Sequence, residues 1–267
     1  MRSVVGPLSI AVLLAGAAQS QSPEVSIEDA AAVAEGSGTA SATFTVTLTQ
    51  LTPIVYGDPH TGMYHLGPVD FAETQWPNAC APGGGYVTSL REATGLGGEY
   101  LAGVSNLYAQ GGGICDSCLL INTALGHSII ARIVTYGDTG PEDLDVSPSV
   151  YAAINEGEWP RTMTWQLVKC PDTGTLAYEF QTASSQWWTS FWVRNQRVPI
   201  EKVEVQSQKH PTFYQLRRET DGTLNCDDGF GTGSFTLRLT AVDGQVITDT
   251  FPGFTPGGIL TSTQQFE

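Results

Sequence analysis

Clean alternation of apolar and polar positions appears first at Ser41 to Thr49, where Phe44, Val46 and Leu48 share one face, and this predicts a strand. From about Ile54 to Cys170 no long helical period occurs. Short apolar runs at Cys118 to Ile121, Ser128 to Val134 and Met163 to Val168 are punctuated by glycine-rich turns at 82–85 and 111–113. Many short strands with such punctuation predict a small closed barrel. Val87 to Leu90 suggests a turn of helix nearby, and Tyr100 to Tyr108 a short helix or irregular segment. Leu144-Asp145-Val146-Ser147-Pro148 reads as a strand end that hands over to a helix, with Ser147 as N-cap and Pro148 at the first helical position. Val150, Tyr151 and Ile154 form its stripe, and Gly157 ends it. With Leu144 and Val146 turned into a core, alternation turns Asp145 outward, toward a surface or groove.

After the turn at Pro171-Asp-Thr-Gly174 the strand pattern resumes at Leu176 to Phe180, Trp188 to Val193, Ile200 to Val205, Phe213 to Leu216, Ser234 to Leu239 and Gln245 to Thr248. Turns at Asp221-Gly222, 229–233 and Asp243-Gly244 separate these runs. This is an all-β unit of sandwich type. In Trp187-Trp188-Thr-Ser-Phe191-Trp192-Val193, Phe191 and Val193 share one face, and Trp188, Ser190 and Trp192 share the other. Tryptophans on a solvated sheet face suit stacking against a sugar ring, and equally suit burial beneath another part of the chain.

Residues 1–20 read as a secretory signal peptide, a short Val/Leu/Ala-rich run followed by small polar residues. Secretion permits disulfides, and none of the apolar runs reaches a membrane-spanning length. The formal net charge is -15, from 27 acidic residues against 12 Lys plus Arg, which argues against nucleic acid or an anionic membrane as partner. Five cysteines occur, at 80, 115, 118, 170 and 226. The Cys115-Asp-Ser-Cys118 spacing fits a redox or metal motif, but zinc would need two further soft ligands nearby. Structural bridges are the better reading for a secreted chain, and no metal or cofactor is expected.

Several features resemble the second domain of bacterial-type expansins: the Trp187-Trp188 pair, Val193-Arg194-Asn195, Pro199, Gly231-Thr-Gly-Ser234 and Asp249-Thr250. Leu144-Asp145-Val-Ser147, Trp165-Gln-Leu-Val168, Ala79-Cys80 and the Cys115/Cys118 pair resemble their first domain. The resemblance covers about residues 54 to 262. It implies a six-stranded double-psi β-barrel followed by an immunoglobulin-like, cellulose-binding β-sandwich, and wall loosening without hydrolysis. It implies the bridges Cys80–Cys115 and Cys118–Cys170, with Cys226 reduced.

The expected organisation is a signal peptide at 1–20, an extension at 21–53 whose start resembles a Calx-beta repeat, the barrel at 54–170, a linker at 171–174, the sandwich at 175–262 and a tail at 263–267. By the same likeness Asp145 is the retained acid of the groove and Tyr136 a groove tyrosine. Trp187 and Trp188 are the first two aromatics of the binding strip. Departures occur. The groove aspartate falls on Val134, with Asp138 as a substitute from the other side. The groove threonine falls near His65, with Thr61 as rival. The third aromatic falls at Gly222 to Leu224, where Trp192 could replace it. A lysine often found before the pair corresponds to Gln181.

The expected partner is insoluble polysaccharide, cellulose or a related β-glucan or peptidoglycan, and the protein is expected to be a monomer. Two other functions compete. One is a glycan-cleaving enzyme on the same barrel, either an endoglucanase or a lytic transglycosylase. The region resembling the base loop, Thr61 to Leu66, has no carboxylate, although Asp58 and Asp70 flank it, and inverting hydrolysis needs an acid and an opposed base. The other is a binding module with an inactive groove.

Overall fold

The computed structural model describes residues 55–67, 79–80, 100–171 and 174–267. The signal peptide, the extension with its strand at 41–49, the turn at 82–85, the helical turn at 87–90 and Asp70 lie outside the described residues.

Six strands close a barrel: β1 (Val55–Leu66), β2 (Leu101–Ser105), β3 (Cys118–Thr123), β4 (Ser128–Gly137), β5 (Leu144–Val146) and β6 (Thr162–Val168). Their order around the ring is β1-β5-β2-β4-β3-β6. The β1–β5 and β2–β4 pairs are parallel, so the chain must cross the barrel to make them, as a double-psi barrel requires. Tyr64, Ala102, Val104, Leu119, Ile121, Ile133, Leu144, Val146 and Trp165 fill the interior. The segment at Tyr100 to Tyr108, expected as short helix or irregular, is β2 followed by a 3-10 turn over Asn106–Tyr108. All five residues of β2 are buried, so no alternation was there to be read. Helix α1 (Pro148–Ile154) follows β5, and the Ser147 hydroxyl accepts from Val150 N at 3.4 Å as the sequence predicts.

The rest forms two antiparallel sheets around one core of Tyr178, Phe180, Phe191, Val203, Val205, Phe235, Leu237 and Leu239. One sheet orders β10 (Tyr214–Gln215), β9 (Ile200–Gln206), β13 (Phe235–Ala241) and β14 (Val246–Phe251). The other orders β11 (Arg217–Arg218), β12 (Leu224–Cys226), β8 (Thr189–Arg194), β7 (Ala177–Phe180) and β15 (Ile259–Thr261). In the proline- and glycine-rich stretch after Phe251, β15 adds an edge strand to β7.

Both expected bridges form. Cys80 joins Cys115 with Cα atoms 5.5 Å apart, and Cys118 joins Cys170 at 5.2 Å. Cys226 is a free thiol at the end of β12, and fully buried. Burial first, then the Asp228 carboxylate beside it, push that thiol up to about 12, so it is no nucleophile at neutral pH.

Barrel and sandwich meet through buried polar contacts. The Arg194 guanidinium is 1 % exposed and pairs with Asp116 of the barrel at 3.2 Å and Glu179 at 2.9 Å. It also donates to the Cys80 carbonyl at 3.2 Å, and Gln196 donates to the Cys115 carbonyl at 2.9 Å. Gly112 (φ +88°) is needed where it stands, because a Cβ there would lie 2.2 Å from the Glu219 carbonyl of the sandwich.

Candidate functional site

Asp145 is the middle residue of β5, with Leu144 and Val146 fully buried on either side and its own side chain half-buried on the outer face. Its register partners are His65 on β1 and Gly103 on β2. The surface around it is kept open by two residues without side chains. A Cβ on Gly67 would come within 2.7 Å of the Asp145 Cβ, and one on Gly103 within 2.7 Å of Thr135 Cγ2. Burial raises the Asp145 carboxyl above its ordinary value. His65 opposes that shift, and Asp143 and Asp138 add to it.

The structure therefore brings Asp145, His65 and Asp138 into one electrostatic neighbourhood. It adds Asp143, which the sequence reading missed. Asp143 accepts from Met63 N at 2.8 Å, and its other oxygen lies 3.2 Å from His65 Nε2. Next to it, Glu142 lies 2.9 Å from His60 Nδ1 and accepts from the Tyr108 hydroxyl at 2.5 Å. His60 stacks on Trp165 with centroids 4.1 Å apart. The 140–143 loop thus lays two carboxylates against two histidines of β1.

The other predicted residues lie elsewhere. Thr61 is exposed and pairs with Thr164, roughly 13 Å along β1 from His65 at ordinary strand rise. Asp58 is farther still, inside the β1 register shift between Tyr56 and His60. On β4 the outward neighbour of Asp145 is Thr135, which pairs with Gly103; Tyr136 pairs with Val104 of the interior row. Tyr136 packs on the barrel core at its rim and donates its hydroxyl to the Thr220 carbonyl of the sandwich. A bulge at Val134 produces this shift of face, since Ile133 pairs with Ala102 and Thr135 with Gly103. Val134 itself is fully buried.

In the sandwich, Trp187 and Trp188 occupy a tight turn, not the strand itself. Ser185 N donates to the Trp188 carbonyl at 2.7 Å, and both tryptophan amides donate to Ser185 Oγ. Trp187 is 64 % exposed and Trp188 half-buried. Lys209 holds its ammonium 4.6 Å from the Trp187 ring centroid, a cation brought to the pair by a loop distant in sequence. Gln181, the residue at the position of the expected lysine, instead donates its backbone N–H to the Ser190 carbonyl at 2.9 Å. Trp192 lies apart from the pair. The face that alternation assigned to it is covered, with Ser190 fully buried and Trp192 half-buried. Its ring lies 4.8 Å from the Arg194 guanidinium and its Nε1 donates to the Asp221 carbonyl at 2.9 Å.

A six-stranded barrel with crossed parallel pairs, bridged twice and followed by a two-sheet sandwich, defines the class of all-β protein that the described residues form. No protein-family model matches the chain. It is 32 % identical over 146 residues to Expansin-YoaJ of Bacillus subtilis, covering 54 % of this chain and 62 % of that protein. It is 27 % identical over 124 residues to Expansin-like protein 6 of Dictyostelium discoideum, covering 46 % of this chain and 41 % of that protein. Expansin-like protein 5 of the same organism is 25 % identical over 186 residues, 66 % of this chain and 76 % of that protein. The chain thus spans less than two thirds of the length of the first two relatives.

The fold matches the crystal structure of the apo expansin of Clavibacter michiganensis with a TM-score of 0.64 at 18 % identity, over 79 % of this chain and 98 % of that one. It matches a mutant of that expansin in complex with cellohexaose with a TM-score of 0.63 at 19 % identity. In sequence and in fold the chain is similar to expansins and expansin-like proteins.

Proposed function

We propose that this is a secreted protein that grips cellulose or a related β-glucan and loosens polysaccharide networks without hydrolysing them. One observation carries the reading: a half-buried carboxyl, Asp145, on an outer barrel face cleared by Gly67 and Gly103, on the fold of a protein crystallised with cellohexaose. A carboxyl held toward its protonated form can donate to a glycan oxygen. Asp143 is committed to Met63 N and His65. That arrangement does not supply the opposed base that inverting hydrolysis uses. Trp187 offers a flat apolar ring for the same polysaccharide, Trp188 backs it, and Trp192 joins Arg194 in fixing the sandwich to the barrel. Tyr136 contributes by holding the Thr220 turn at the barrel rim, and no cofactor enters the proposal.

The His65–Asp143–Asp145 cluster favours a second reading, glycan cleavage of the lytic type, which needs no water-activating base. Asp145→Asn separates the two. Creep of cellulose-rich material, release of reducing ends, soluble anhydro-ended peptidoglycan fragments and thermal melting are measured on the same samples. Loss of creep in a well-folded variant, with no new ends released by the wild type, is expected. Release of ends or anhydro-ended fragments by the wild type, abolished in the variant, would make the protein an enzyme. Full creep in the variant would remove Asp145 from the function.

A further inference from the structure

A second cluster of chemically competent side chains lies in the sandwich, away from Asp145. His210 ends a turn after β9, held by the Ser207 N–H to His210 carbonyl bond at 2.7 Å, and its ring stacks on Tyr214 with centroids 4.3 Å apart. Cys226 ends β12, and Asp228 follows in the next turn. His210 Nε2 lies 3.2 Å from Cys226 Sγ and 3.0 Å from Asp228 Oδ1, and the sulfur lies 3.5 Å from that same oxygen. All three atoms fall within 4.8 Å of one another.

A catalytic relay of thiol, imidazole and carboxylate uses both ring nitrogens, one toward the nucleophile and one toward the acid. Here a single nitrogen faces both partners, so the three atoms converge on one point instead of forming a line. Tetrahedral zinc with bonds of about 2.3 Å to sulfur and 2.0–2.1 Å to nitrogen and oxygen would set S···N, N···O and S···O edges near 3.5, 3.3 and 3.5 Å. The observed triangle is within a few tenths of an ångström of that face.

We infer that His210, Cys226 and Asp228 form a zinc-binding site, with the fourth position open to solvent beside the exposed Asp228. One thiolate, one imidazole and one carboxylate is a borderline donor set that suits Zn2+ and disfavours Ca2+ or Mg2+. Binding releases the thiol proton to solvent and leaves the sulfur as thiolate. The metal would tie the β9–β10 loop of one sheet to the end of β12 in the other. That loop also carries Lys209 over Trp187. The segment after Asp228 braces the aromatic turn, through Gly231 N to the Gln186 carbonyl at 3.0 Å and Phe230 N to Thr189 Oγ1 at 3.3 Å. Sequence spacing concealed the set, because its ligands come from the loop after β9 and from the end of β12 with its following turn, and pair with no second cysteine.

The test titrates Zn2+ alone into the reduced full chain against a chromophoric chelator, with Co2+ as spectroscopic probe. One equivalent of zinc, a raised melting temperature and a thiolate-to-cobalt charge-transfer band are expected. Asp228→Asn alters an exposed residue and should leave the apo fold intact while weakening zinc more than about tenfold, since even outer-shell changes cost that much. Cys226→Ser should remove the cobalt band. Zinc binding that is absent, or that is unchanged in both variants, or a cobalt spectrum without the sulfur band, would overturn the site and assign any uptake to the acidic surface.

Discussion

The protonation of Asp145 gives a pH signature that a surface aspartate would lack. Its folded carboxyl titrates above its ordinary value of 3.8, because burial disfavours the charge. The folded state therefore binds more protons than the unfolded chain just above that value, and stability from this residue falls as pH rises through the window. Asp145→Asn should remove that fall, so that the variant's denaturation midpoint rises relative to the wild type's as pH passes up through the window, and creep that depends on the protonated acid should fade across the same window.

Trp187→Ala is expected to lower binding to insoluble cellulose severalfold while changing stability by no more than about 0.5 kcal/mol, because the ring is 64 % exposed. Pull-down and melting on one preparation check it. At this scale the chain was legible where burial alternates, as at Leu144-Asp145-Val146. It was not legible at Tyr136, whose face depends on a one-residue bulge, or at Asp143, whose histidine partner is far away in sequence.

Strand β8 shows what a period can and cannot reveal. Alternation correctly separates Phe191 and Val193, which face the sandwich core, from Ser190 and Trp192. It cannot say that the barrel covers the second face, since nothing local marks a surface about to be covered. Short elements carry even less signal, and so neither β12 nor β15, three residues each, is among the runs that the pattern marks. The covered face has a measurable consequence at Arg194. Replacing it by Met would leave Asp116, 1 % exposed, with its charge buried and this partner gone, a loss of about 3–5 kcal/mol in chemical denaturation.

The Cys118–Cys170 bridge ties the start of β3 to the residues after β6. It closes a loop with a sequence separation of 52, for which chain entropy predicts about 4 kcal/mol. Replacing both cysteines by Ala should lower the denaturant midpoint accordingly.

At the largest scale, barrel and sandwich are locked by Arg194, Gln196 and Tyr136 on Thr220, and by the close approach of the Gly112 backbone to Glu219. The two-domain order and the bridges were legible through the resemblance to a family. The interlock was not, because its contacts join positions up to 114 residues apart. A lock of this kind acts on avidity. Two binding elements on a flexible tether sample many separations, and the second binds at an effective concentration set by tether length. Here the separation between the Asp145 face and the Trp187 turn has one value. On the function proposed above, a stiff, straight glycan whose repeat matches that span would meet both elements at once, whereas a coiled or branched one would meet them one at a time. Gly112→Val, which drives a side chain into the Glu219 carbonyl, should therefore weaken adsorption to crystalline cellulose far more than affinity for a soluble oligosaccharide short enough to touch only one element. The interface would then act as a ruler, selecting polymers by straightness.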